Sequence, residues 1–170
     1  MAEINLKKVL QDSYDLLIDG IIKDAHLKKT KEGKYEIESR TKLKSLVEAI
    51  RQHDKPEDSV LHFIKYAEYF LPRSKFYETL GVLLEKIKDT KERNENKETI
   101  KIEIQYVIGY ALWAVDALCN IFKESKNNEE VRRHVKMMLD TEFEIAEMKD
   151  EDKKSKIVDA IFEWYNEANK

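Results

Sequence analysis

The stretch Ile100–Phe122, IKIEIQYVIGYALWAVDALCNIF, is the most apolar part of this 170-residue chain, and its reading decides the fold. From Gln105 onward only Gln105, Asp116 and Asn120 interrupt it, so it reads as a central helix, apolar on nearly all sides and buried on most of them. A membrane span is the rival reading. Crossing a bilayer takes about 20 uninterrupted apolar residues, whereas Asp116 in the C-terminal third and Glu103 and Gln105 near the start make insertion expensive. The pattern therefore favours the core helix of a globular chain with no membrane partner.

The whole composition agrees. With 42% apolar residues the chain can build a core, and with 4 Gly and 2 Pro it has few of the turn signals that a β-sandwich or barrel needs. The expectation is an all-α fold: a compact helical bundle of about six or seven helices around the central apolar helix, forming one domain over residues 1–170. Lys and Arg number 31 against 34 Asp and Glu, a net charge of -3, so no global basic field announces a nucleic-acid binder and any such site is a local patch. Cys119 is the sole cysteine, which leaves no intramolecular disulfide or multi-cysteine zinc site, and its apolar neighbours suggest an inert core thiol. The start, MAEINLKKVL, lacks the pattern of a secretory signal, and a cytoplasmic protein is the simplest expectation.

Polar segments flank the central helix. Lys88–Glu98, KDTKERNENKE, has no apolar residue to bury and reads as a linker or as a solvated extension of the neighbouring helices. After KESKNN, Glu129–Met148 reads as a helix burying Val131, Val135, Met138, Leu139, Phe143 and Ile145 or Ala146. Its start carries Arg132, Arg133, His134 and Lys136, and its end is acidic from Asp140 to Asp152, so the helix is electrically polarised. A last helix, about Asp152–Asn169, buries Ile157, Val158, Ile161, Phe162, Trp164 or Tyr165 and Ala168.

Farther out, Glu3–Ala25 reads as one helix with Gly20 as a weak point, and residues 26–36 as an exposed basic connection with a turn at Gly33. Ser39 or Thr41 caps the next helix, whose Leu43, Leu46, Val47 and Ile50 face inward. Arg40, Lys44, Arg51 and Lys55 recur at helical spacing on the opposite side, where a phosphate backbone could run past them. Two further helices, from about Pro56 to Leu71 and from about Ser74, make a hairpin broken by Pro72 and rich in aromatic residues.

Enzymatic motifs are scarce. The chain has no glycine-rich phosphate loop, no G-x-S-x-G and no H-E-x-x-H, and His26, His53, His62 and His134 fall on different segments without metal-ligand spacing. Arg132, Arg133 and His134 are adjacent rather than spaced to bind and cleave a phosphodiester. These patterns point to a protein that is not an enzyme and needs no cofactor or metal.

Three segments resemble the small helical subunit of type III CRISPR effector complexes, the Csm-type small subunit. In IKIEIQYVIGY, Ile100, Lys101, Ile104, Tyr106 and Gly109 fall on that family's pattern, with Tyr110 where the family usually has Arg. In TKLKSLVEAI, Thr41, Leu43 and Lys44 are similar to its early helix, and Phe162 and Glu163 to its ending. The resemblance implies a non-catalytic subunit, stacked in several copies as a filament beside other type III effector subunits. It would line the guide RNA and target RNA with phosphate contacts that read no sequence. Lys44 and Lys101 carry over by position, and Lys101 is expected to stand exposed at one end of an otherwise buried helix. Arg40, Arg51, Arg132, Arg133 and Lys136 join them from the patch argument. The alternative is a helical protein-interaction module or inhibitor that uses its aromatic hairpin and acidic end.

Overall fold

Good helix formers and scarce Gly and Pro yield helix almost throughout. The computed structural model describes residues 4–37, 40–51 and 73–170, without the side chains of residues 42, 46, 47, 49–51 and 73–77. Among the described residues are six helices: α1 (Leu6–Leu16), α2 (Arg40–Arg51), α3 (Arg73–Arg93), α4 (Lys97–Glu124), α5 (Asn128–Ile145) and α6 (Glu151–Ala168). The all-α expectation holds. The helix expected over residues 56–71 and the aromatic hairpin apex lie outside the described residues, as does Lys55.

The chain folds as two compact units, Met1–Ala25 with Ser39–Leu112, and His26–Glu38 with Trp113–Lys170. In the first, α1 begins at Asn5, whose side chain accepts the Lys8 N–H, and continues through a π-helical turn, Leu17–Ile21, to a last turn, Ile22–Asp24. Gly20 sits in the π turn because α3 passes close by: a Cβ there would lie 2.9 Å from the Thr79 Cα. Asp24 fixes the crossing by accepting the backbone N–H groups of Glu78 at 3.2 Å and Thr79 at 2.6 Å. Val9, Leu10, Leu16, Leu17, Ile21, Leu43, Leu83, Ile87, Ile100 and Ile104 are buried in this unit.

Residues 26–36 are not the exposed loop that their lysines suggest. Leu27–Lys29 (β1) and Tyr35–Ile37 (β2) pair antiparallel, with Leu27 opposite Ile37 and Lys29 opposite Tyr35. Alternation explains the correction: Leu27, Tyr35 and Ile37 turn inward and are buried, while Lys28 and Glu36 face each other on the other side. Gly33, at φ +81°, closes the turn. Tyr35 then packs edge-on against Phe122, with ring centroids 5.5 Å apart, and beside Tyr165 at 5.7 Å. Its hydroxyl donates to Asn169 Oδ1 at 2.9 Å.

The connection at residues 88–98 takes the second of the two forms open to it. Helix α3 runs to Arg93 and α4 starts at Lys97, which leaves Asn94–Asn96 between them. Helix α5 buries Val131, Val135, Leu139 and Phe143, and at its end buries Ala146 rather than Ile145. It closes with Glu147 in the left-handed region at φ 57°, where the Met148 N–H bonds Phe143 O at 2.8 Å and the Glu147 N–H bonds Glu144 O at 3.1 Å. Asp150 caps α6 by accepting the Lys153 N–H at 3.0 Å.

Helix α4 is long and apolar enough to cross a membrane by length and composition, but only half of its most apolar window is buried in the chain. That corrects the expectation of burial on most sides. Tyr106, Gly109, Tyr110, Trp113, Asp116 and Asn120 are exposed, and their spacing places them along one side of the helix.

Candidate nucleic-acid interface

Phosphate binding requires cations that stand in water and are not neutralised within the chain. The sequence-derived cations divide between the two units. In the first, Lys44 is exposed on α2. Arg40, one turn earlier, is half-buried and has a partner within the chain, and Arg51 ends the described part of α2, its side chain lying outside what is described. Lys101, expected to stand exposed at the start of the central helix, is half-buried and also has a partner. The physical reason is its position: α4 buries Ile100, Glu103 and Ile104 around it.

In the second unit Arg132, Arg133 and Lys136 are all exposed on the first half of α5. They differ in how far the chain already uses them. Arg132 is held, with Nη1 2.9 Å from Asp159 Oδ1 and its guanidinium 4.5 Å above the Phe162 ring. It ties α5 to α6 and presents only part of its charge. Arg133 reaches Glu130 at 3.9 Å, a loose surface contact that salt screens readily. Lys136 stands exposed one turn beyond Arg132 and Arg133. The pair Arg133 and Lys136 is therefore the strongest cationic feature among the sequence-derived residues.

The densest charge cluster among the described residues is elsewhere and faces inward. Lys8 and Lys86 form ion pairs with the buried Asp12, 3.2 and 3.3 Å from its Oδ1. Lys86 also bonds Asp15 at 2.8 Å, Lys8 reaches Asp89 at 3.3 Å, and Arg93 joins Asp89 at 3.2 Å to the buried Glu103 at 3.0 Å. Burial works against the charge on Lys86, yet Asp15 and Asp12 outweigh it and raise its pKa. Burial likewise opposes the charge on Asp89, and hydrogen bonds from Arg93 and Lys8 outweigh it and hold the carboxyl below its ordinary range. Such a network fixes α1, α3 and α4 against one another, and its cations are committed to that task.

Sequence reasoning missed two surface features. The first is the line of Tyr106, Tyr110 and Trp113 on α4, whose sector could have been found from Gly109, Asp116 and Asn120, since these fall on the same side. The second is Met137 and Ile145, large apolar residues 58% and 66% exposed on α5. Comparison with known protein families, curated proteins and solved structures finds no match to this chain.

Proposed function

We propose that this chain is a small, non-catalytic subunit of a type III CRISPR RNA-guided interference complex in the cytoplasm. In this reading it lies along the guide RNA and target RNA, beside other effector subunits and copies of itself, and neutralises phosphates without reading bases. The supporting observation is the exposed cationic start of α5, Arg133 with Lys136, set on a helix whose opposite face is anchored in a core. Lys44 on α2 is the second element. Because Lys101 is half-buried, the weight of the reading moves from the central helix to α5.

The test is RNA binding by the reconstituted complex at a series of salt concentrations. Each phosphate contact on a single strand contributes about 0.7 to the slope of log affinity against log salt. Reversing Lys44 and Lys136 together to Glu should lower the slope by about 1.4, two such contacts, with little preference for RNA sequence. An unchanged slope overturns the assignment of these residues. The exposed Tyr106 and Trp113 favour a second reading, a helical protein-interaction module without nucleic acid. Affinity purification separates the two: recovery of protein partners without RNA supports the second.

A further inference from the structure

The outer face of α5 carries its own charge complement. Arg133, its side chain 64% exposed, and Glu144, also exposed, are three turns apart, about 16 Å along the axis, and so lie on the same side of the helix. Met137 lies between them in the same sector, 58% exposed. Lys136 and Thr141 flank it, both exposed. All of these residues belong to one unit, and α5 is held from behind by Val131, Val135, Leu139 and Phe143, so the face is presented on a rigid support.

We propose that this face pairs with the same face of a second copy, antiparallel and two-fold symmetric, with Arg133 of each copy against Glu144 of the other and Met137 of both copies at the centre. The symmetry follows from the charge order. A helix that is basic at one end and acidic at the other repels itself in a parallel pairing, because Arg133 meets Arg133. Turned antiparallel, it satisfies both ends at once. The two-fold axis then crosses α5 midway between Arg133 and Glu144, and the two Met137 side chains lie about 4–5 Å apart along the helix, within each other's reach, each opposite Asp140 of the other copy, whose charge Lys154 takes up at 2.7 Å. A head-to-tail stack of parallel helices, offset to bring Arg133 to Glu144, makes the ion pair once per contact and leaves the methionines three turns apart. Lys136 falls near Thr141 of the other copy, one turn from its Glu144, and adds to the attraction. Glu130, 3.9 Å from Arg133, takes part of its charge and keeps the pair weak, as does the small area of one helix face. The pairing does not rest on the RNA reading but uses the same Arg133 and Lys136, so RNA would compete with it, and it forms a closed dimer rather than the open stack that the resemblance implies.

The test uses the full chain without RNA, in sedimentation equilibrium up to millimolar concentration. The wild type should dimerise reversibly and less tightly as salt rises. Arg133→Glu alone and Glu144→Arg alone each set like charges together twice and should weaken the dimer about tenfold or more. An equimolar mixture of the two variants restores both opposite-charge contacts, so it should form a heterodimer of near wild-type affinity. Met137→Ser, which alters no charge, should also weaken the homodimer. All three side chains are exposed, and circular dichroism checks that each variant folds as the wild type does. A wild type that stays monomeric at millimolar concentration, or single variants that pair as tightly as the wild type, overturns the proposal, and so does a mixture no tighter than its components.

Discussion

In the first unit α1, α3 and α4 meet through Lys8, Asp12, Lys86, Asp89, Arg93 and Glu103, whereas in the second the hairpin, α4 and α6 meet through Tyr35, Phe122, Trp164 and Tyr165. The ring cluster gains from burial of apolar area and from edge contacts worth about 0.5–1.5 kcal/mol each beyond that area, and it tolerates changes of salt and of acid pH, while burial, which raises the Tyr165 pKa, makes it sensitive only to alkali. The ionic network gives little net stability, since desolvating Asp12 and Glu103 offsets most of the attraction, but it penalises any register that leaves a carboxylate unpaired. Both units bury an apolar core; to the first the ionic network adds a cost for its alternatives, and to the second the ring cluster adds the gain of its native contacts.

The largest expected effect would break the ring cluster. Phe122 is buried and contacts Tyr35, Trp164 and Tyr165, so Phe122→Ala should destabilise the second unit by about 3–5 kcal/mol. Hydrogen exchange should show faster exchange in the hairpin and α6. Arg93→Ala probes the other side by leaving Glu103, 4% exposed, without its guanidinium. The cost should be about 2–3 kcal/mol, below that of a fully buried pair because the Arg93 side chain is 33% exposed. Its exchange signature should be confined to the end of α3 and the start of α4. An equal loosening of both units by either variant would collapse the distinction.

The smallest effect is a dependence on pH. The pKa of Asp89 is depressed in the fold, so its contribution is present above about pH 3.9 and is lost as the pH falls through its folded value. The share is modest because the group is 43% exposed. Lys86 is raised, so its contribution is complete below about pH 10.4 and lost as the pH rises beyond that. Protection of the α1 and α3 amides, taken relative to the intrinsic exchange rate at each pH, should therefore fall at both extremes. A pH-independent profile there would remove the ionic network from the account of the first unit.

Periodicity is a good guide where a helix has one wet side. The buried sets of α5 and α6 were largely legible because acids and bases fill the remaining positions, although Met138, Phe162 and Ala168 are only half-buried and both Trp164 and Tyr165 go inside. The same lysines concealed the hairpin: strands of three residues carry too few alternations to stand out, and Leu27, Tyr35 and Ile37 are apolar only in relation to a surface the sequence does not display. Lys101 failed as an exposed cation for a related reason, since its charge suggests solvent while Ile100 and Ile104 carry its turn into the core. Arg132 was legible as a cation but not as the partner of Asp159 and Phe162.

Composition and period were enough for the all-α class and the polarity of α5, because both act through local backbone preference and the burial of one face. Which charges are neutralised inside and which stand in water is set by packing, which the order of residues does not show. Asp12, Lys86, Arg93 and Glu103 are ordinary letters in a chain that is 38% charged. They become a network when three helices bring them within about 3 Å, the range at which coulombic attraction is strong enough to offset the loss of water.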